Sequence, residues 1–144
     1  RCETLLFMAS RAQLIGQIIR PALDAGRTVL CDRFISATIA YQGAVGVDAE
    51  TILDLGQFAV GRCWPALTVV LTVPAEIGLR RAGRLRGQAP DAMERRSLDC
   101  HARVSATFGR LGQVYPTPVV LVDATGAPDA VNQAMLEAIA DAAI

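Results

Sequence analysis

Residues 28–46 read TVLCDRFISATIAYQGAVG, and this stretch decides the fold. The apolar run TVLC contains β-branched residues and predicts a buried strand of a parallel sheet. Asp32 and Arg33 follow at the predicted carboxyl end of that strand, which is where ligands bind in open α/β sheets. An acid and a base at this place suit metal-bound water and phosphate respectively. The alternative is a simple ion pair that caps the following helix.

A short helix is predicted next, over residues 36–42, with Ser36 as its N-cap. Thr38 gives this helix a second hydroxyl group, and Tyr41 and Gln42 follow about one helical turn later. Charged groups, hydrogen-bonding groups and an aromatic ring therefore lie close together in the sequence, which favours a ligand site.

The rest of the chain alternates helical periodicity with short apolar runs. Alternating helices and strands are typical of an α/β fold, in which helices cover both faces of a parallel sheet. With three strands the sheet is thin for so many helices, so we expect one domain over residues 1–144 that lacks its first strands. Asp48 is a predicted N-cap. Strands are predicted over residues 28–31, 67–73 and 119–122, and helices over residues 3–23, 48–60, 94–113 and 127–144, with a further helix that begins near residue 74.

Two further groups of side chains are candidates for binding. Phe7 and Arg11 are four residues apart in the first predicted helix and therefore share one face. Core packing of Phe7 and a solvated charge on Arg11 are the simpler alternatives. Residues 80–96 contain six arginines among glycine and proline, which predicts an arginine-rich lid at about residues 83–94. Arginine makes paired contacts with phosphate, although a charged loop between helices is the alternative.

The composition argues against several classes of protein. With 14 acidic and 14 basic residues, the chain has no net charge to attract nucleic acid or a membrane surface. No apolar run approaches the ~20 residues of a transmembrane helix. The four cysteines form no CxxC pair, which disfavours a zinc site and a disulfide framework. We therefore expect a cytoplasmic protein with reduced thiols that binds neither nucleic acid nor membranes.

Five segments together resemble the thymidylate kinases, which are nucleoside-monophosphate kinases of the P-loop class. They run in the order of that family and cover nearly the whole chain. The resemblance implies a three-layer P-loop NTPase-type parallel sheet with helices on both faces. The matching segments are ETLLFMASRAQLIGQIIRPALDAG, VLCDRFISATIAYQG, LTVVLTVPAEIGLRRAGRLRG, DAMERRSLDCHARV and VLVDATGAPDAV.

The resemblance implies a role in substrate binding for each candidate on the first helix and on the short helix. The aromatic ring matching Phe7 stacks on thymine, and the arginine matching Arg11 hydrogen-bonds the base. Thr38 occupies a position where a polar side chain contacts the base. Tyr41 lies under the deoxyribose, where an aromatic ring leaves little room for a 2′-hydroxyl group, and Gln42 lies beside it.

The resemblance also implies the groups that act on phosphate. Arg33 holds the substrate phosphate, and Asp32 helps to organise Mg²⁺ indirectly, through water. Arg84 and Arg86 are the best candidates in the lid for stabilising charge on the transferred phosphoryl group. The turn after the last strand lies near the base of ATP, and its candidate residues are Asp123, Ala124 and Thr125.

The function implied by this resemblance is the ATP-dependent, Mg²⁺-dependent phosphorylation of dTMP to dTDP in dTTP biosynthesis, by a cytoplasmic homodimer. Tyr41 and the pair Phe7 and Arg11 favour dTMP over other nucleotides. One alternative is another deoxynucleoside-monophosphate kinase. The other is a nucleotide-binding module without catalysis.

Two features depart from the family pattern. The sequence contains no GxxxxGK[ST] motif and no lysine, although the family cradles the ATP phosphates with that loop and its lysine. We therefore expect an N-terminally incomplete chain, and expect these 144 residues alone to be inactive. Ala92 stands where many members carry arginine, which puts one lid or adenine-side contact in doubt.

Overall fold

The computed structural model describes residues 1–86 and 97–142, with side chains described for residues 1–82 and 97–142. The chain divides into two compact units, Arg1–Pro65 and Ala66–Ile144. The first unit is helical where it has regular structure, and the second contains a parallel sheet with helices. The chain is thus an α/β protein, as the sequence predicts.

The first unit begins with one long helical segment, which matches the helix predicted over residues 3–23. It consists of α1 (Cys2–Leu14), a π-helical turn (Ile15–Ile19) and α2 (Arg20–Asp24). Pro21 lies just after the π-helical turn. Proline lacks an N–H and its ring clashes with the carbonyl four residues earlier, so the regular ladder cannot continue through it. The π-helical turn is thus the local adjustment of the helix beside Pro21.

Two more helices, α3 (Ile35–Gly43) and α4 (Ala49–Val60), pack with α1 to form the core of the first unit. Helix α3 is buried along most of its length. Gly56 allows close packing, because a Cβ atom there would lie 3.1 Å from Cγ2 of Ile35.

The two predicted N-caps have opposite outcomes. Asp48 is confirmed as the N-cap of α4, since its Oδ2 accepts a hydrogen bond from the Thr51 N–H at 3.0 Å. Ser36 is wrong as the N-cap of α3, because Phe34 takes that position and the helix begins at Ile35. Ser36 is buried and is the second residue of α3. A residue inside the first turn cannot act as the N-cap, because the N-cap precedes the first helical residue.

The strand predicted over residues 28–31 is also wrong, because this segment has no regular structure. Leu30 is 98% exposed. A strand needs a neighbour for its N–H and C=O groups, and no strand is found in the first unit. An apolar, β-branched run without a partner therefore remains an irregular segment.

The second unit is built on two parallel strands, β1 (Thr68–Thr72) and β2 (Val119–Asp123). The register pairs Thr68 with Val119 and Thr72 with Asp123. Both strands are confirmed within one or two residues of the predicted bounds. The other elements are α5 (Ala75–Arg86), α6 (Leu98–Gly109), a 3₁₀ turn (Leu111–Gln113) and α7 (Pro128–Asp141).

Helix α6 has a clear start, because the Ser97 hydroxyl group accepts a hydrogen bond from the Cys100 N–H at 3.2 Å. The predicted start at residue 94 lies outside the described residues. None of the helices in residues 1–86 and 97–142 combines the length and apolar character needed to cross a membrane.

Candidate functional site

Arg33 has an unusual backbone conformation. Among the residues that the structure describes, it is the one non-glycine residue with positive φ, at 65°. The left-handed conformation costs an L-residue about 1–2 kcal/mol, and such strain is concentrated at functional sites. The Cys31 Sγ–H donates to the Arg33 carbonyl at 3.4 Å. Burial raises the pKa of the Cys31 thiol, although the nearby Arg11 guanidinium opposes this, and a protonated thiol is the form that donates.

The side chain of Arg33 lies over an aromatic ring of α3. Its Cζ is 5.4 Å from the centroid of the Tyr41 ring, which is cation–π geometry. Asp32 and Arg33 are exposed, whereas Tyr41 is half-buried. The turn before α3 thus presents an acid and a base to solvent beside an aromatic face.

Arg11 connects α1 to the start of α3. Its Nη2 donates to the Phe34 carbonyl at 2.7 Å, and its Nη1 donates to the Phe7 carbonyl at 3.1 Å. Its Cζ lies 5.4 Å from the centroid of the Phe7 ring. Phe7 is 38% exposed. Phe7 is thus more exposed than a core phenylalanine, and Arg11 is held by hydrogen bonds, unlike a freely solvated arginine.

Thr38 and Gln42 lie deeper in the same unit. Thr38 is 1% exposed, and its Oγ1 has no hydrogen-bond partner among the residues described. Gln42 is 2% exposed and donates through Nε2 to Oε2 of Glu3 at 3.2 Å. Glu3 is a residue that the sequence analysis missed. A signal was present, because Glu3 precedes Phe7 by four residues and therefore shares its helix face.

The turn after β2 is held by hydrogen bonds within the second unit. Asp123 Oδ1 accepts from the Thr125 N–H at 2.8 Å, and the Ala124 N–H donates to the Thr72 carbonyl at 2.8 Å. The hydrogen bonds from Thr125, and secondarily the charge of Arg81, lower the pKa of the Asp123 carboxyl group.

Arg81 is a second residue that the sequence analysis missed. Its Nη1 donates to the Ala124 carbonyl at 2.6 Å, and its Nη2 donates to the Thr125 carbonyl. Arg84 is on the same helix, but its side chain lies outside the described residues, as do the Arg86 side chain and the rest of the predicted lid to residue 94. The only sequence signal for Arg81 is the run of arginines itself, which does not distinguish one member from another.

An open groove of about 470 Å³ lies beside the turn after β2, with a mainly apolar lining. The lining residues are Leu71, Arg81, Ala124, Gly126, Pro128, Val131, Asn132 and Met135.

The described residues contain no cluster of three or more His, Cys, Asp or Glu side chains that would hold a metal ion directly. Mg²⁺ keeps several water ligands and uses one or two carboxylates with the phosphates of its substrate. The exposed carboxylate of Asp32 fits an indirect, water-mediated role.

Comparison with known proteins agrees with the resemblance. The family model for thymidylate kinase matches residues 1–135. The chain is 41% identical over 139 residues to a thymidylate kinase from Bradyrhizobium sp. (strain BTAi1), covering 95% of this chain and 62% of that protein. It is 44% identical over 129 residues to a thymidylate kinase from Geobacter sp. (strain M21), covering 86% and 57%.

A thymidylate kinase from Nitratidesulfovibrio vulgaris is 41% identical over 143 residues, covering 95% of this chain and 66% of that protein. The chain thus spans roughly three fifths of the length of the curated relatives it matches. With a family model that matches nearly all of its length and relatives above 40% identity, this chain belongs to the thymidylate kinase family.

Proposed function

We propose that this protein phosphorylates dTMP to dTDP with ATP as the donor, in dTTP biosynthesis. The observation that carries the proposal is the pair of arginine–aromatic contacts on either side of the start of α3. Arg11 lies over Phe7 and bonds the Phe34 carbonyl, while the adjacent Arg33 lies over Tyr41. One pair supplies a base-binding surface, and the other supplies a phosphate-binding cation beside a ring.

Base recognition rests on the first pair. The exposed part of the Phe7 ring offers a face on which a thymine ring stacks. The guanidinium of Arg11 is already anchored to two carbonyl oxygens, so its orientation costs little entropy when the base binds. The buried hydroxyl group of Thr38 is an additional polar group on α3 for recognition of the base.

Phosphate recognition rests on Arg33. Its guanidinium provides paired N–H donors for the acceptor phosphate. Tyr41 lies beneath that guanidinium and provides the wall against the deoxyribose that disfavours a 2′-hydroxyl group. Gln42, the next residue on α3, links this helix to α1 through its hydrogen bond to Glu3.

Asp32 would hold Mg²⁺ through water beside the phosphate. When bound, Mg²⁺ neutralises charge on the phosphates during transfer. Catalysis then consists mainly of positioning and charge neutralisation, with direct in-line transfer and no covalent intermediate.

The donor side of the reaction involves the second unit. We propose that the turn of Asp123, Ala124 and Thr125 lies near the base of ATP, and that Arg84 and Arg86 act on the transferred phosphoryl group. The 144 residues contain no GxxxxGK[ST] motif, so we expect that they do not catalyse transfer by themselves. The family resemblance extends the proposal to a homodimer that acts in the cytoplasm.

The test is a direct assay of the purified full-length protein with ATP and Mg²⁺, comparing dTMP, dUMP and dGMP as acceptors. We expect dTDP to form fastest. Faster phosphorylation of dGMP would indicate a different deoxynucleotide kinase. Binding of dTMP without any dTDP would show a nucleotide-binding protein without kinase activity.

A further inference from the structure

The Arg81 guanidinium is bound to backbone carbonyl groups, unlike the guanidinium of an arginine whose N–H groups are available for a phosphate ligand. Two of its N–H groups already bond neighbouring carbonyl oxygens, those of Ala124 and Thr125, from a helix more than 40 residues earlier in the chain. A planar guanidinium can bond two adjacent acceptors at once, whereas a lysine ammonium group acts as a point charge. The geometry therefore requires arginine in particular.

Two further hydrogen bonds involve the turn that Arg81 contacts. The Ala124 N–H reaches back to the Thr72 carbonyl of β1, and the Asp123 carboxylate accepts from Thr125. The second of these bonds lies within the turn itself. Arg81 thus supplies a side-chain link between this turn and another element, α5.

We propose that Arg81 is a positioning residue for the donor nucleotide, which holds the turn after β2 in the shape that receives the donor base. This inference rests on the proposed function, in which residues 123–126 lie near the base of ATP. The same two bonds fix α5 against that turn.

The matched pair of variants is Arg81→Gln and Arg80→Gln in the full-length protein. Arg80 is the adjacent arginine on α5, and its side chain is exposed. Both variants remove one positive charge from the same helix, so a general effect of charge appears in both. Only Arg81→Gln removes the bonds to the turn.

The first readout is amide hydrogen exchange at Ala124 and Thr125, which needs no catalytic activity. We expect faster exchange in Arg81→Gln and unchanged exchange in Arg80→Gln. Unchanged exchange in Arg81→Gln would overturn the claim that Arg81 holds the turn.

The second readout is steady-state kinetics. We expect Arg81→Gln to raise the KM for ATP roughly tenfold, equivalent to about 1.4 kcal/mol, with the KM for dTMP unchanged. An unchanged KM for ATP, despite faster exchange, would overturn the role in donor binding. Arg81→Lys should restore the charge but not the KM, and full rescue by lysine would refute the need for a fork of two donors.

The two hypotheses fail in different ways. If the wild-type protein forms no dTDP, the proposed function is wrong, while hydrogen exchange still decides whether Arg81 holds the turn. If the wild-type protein is active and Arg81→Gln behaves like Arg80→Gln, only the role of Arg81 is wrong.

Discussion

Arg33 has a left-handed backbone conformation, so two substitutions at this position can separate the backbone strain from the proposed phosphate-binding role of the side chain. We compare Arg33→Gly with Arg33→Ala. Both variants remove the guanidinium and its contact with Tyr41. Alanine keeps the penalty of about 1–2 kcal/mol for an L-residue in this conformation, whereas glycine adopts it freely. Glycine in turn gives the unfolded chain more freedom, which costs about 0.4–1 kcal/mol relative to alanine.

The difference leaves Arg33→Gly more stable than Arg33→Ala by about 1 kcal/mol in the free energy of unfolding. At a position with negative φ the alanine variant is the more stable of the two, so the sign of the difference in unfolding free energy alone tests for strain. Urea unfolding of the two full-length variants measures it. An alanine variant as stable as the glycine variant, or more stable, would refute the claim that the position is strained.

The same pair of variants tests the chemistry of Arg33. Both should lose dTMP phosphorylation by roughly 10²-fold or more, as when an electrostatic donor is removed from an active site. The urea unfolding curve of each variant shows whether it is folded under the assay conditions, so lost activity in a folded variant is attributed to the missing guanidinium. Normal turnover in either variant would contradict the phosphate-binding role.

Three further predictions concern other parts of the chain. Phe7→Ala should weaken dTMP binding, measured by calorimetry, by roughly 1–3 kcal/mol because the stacking contact is lost. The control is Phe58→Ala, which removes a ring that is 92% exposed on α4 and should leave the affinity for dTMP unchanged. Equal affinities for wild type and Phe7→Ala would show that Phe7 does not stack on the base. Asp48→Ala should lower the free energy of unfolding by about 1 kcal/mol because α4 loses its N-cap, and an unchanged urea midpoint would contradict this. The pKa of the Asp123 carboxyl group is lowered in the folded protein, so its contribution to stability is complete above the unfolded pKa of 3.8 and is lost as the pH falls through the lower folded pKa. Asp123→Asn should therefore remove this part of the loss of stability in acid. Identical profiles of unfolding free energy against pH for the variant and the wild type would disprove it.

Local signals predicted the elements of the second unit well. The runs that form β1 and β2 are apolar and rich in valine, and their positions agree with the predicted strands within one or two residues. Helix α7 was also close to its predicted bounds, as was α4 of the first unit. In these segments the period of apolar residues and the turn residues at the ends point to the same structure.

The main error of the sequence analysis was the strand predicted over residues 28–31, because strand formation depends on pairing with a distant segment. The run TVLC has the composition of a strand, but a strand exists only if another strand pairs with it, and no local pattern contains that information. Ser36 failed for a related reason. Serine and aspartate are both suitable N-caps, but α3 begins at Ile35, two residues before the start at residue 37 that a Ser36 N-cap requires.

The shared helix face of Phe7 and Arg11 was predictable from the sequence, whereas the hydrogen-bond partners of the arginines were not. The spacing of Phe7 and Arg11 indicated a shared helix face, and their stacking agrees with it. The bonds from Arg11 to the Phe34 carbonyl and from Arg81 to two carbonyls could not be predicted. Every residue offers a backbone carbonyl, so an acceptor of this kind leaves no mark in the sequence.

The parallel pairing of β1 and β2 also has a consequence for the rate of folding. Thr68 pairs with Val119, which lies 51 positions later in the chain. The entropy of closing that long loop must be lost before the ladder contributes any stability, which slows folding. The hydrogen bonds within each α-helix of the first unit join residues only four positions apart. We therefore expect the sheet of the second unit to form late. Doubling the length of its crossover should cost about 0.6 kcal/mol of loop-closure entropy, which slows folding roughly threefold when the loop closes before the rate-limiting step.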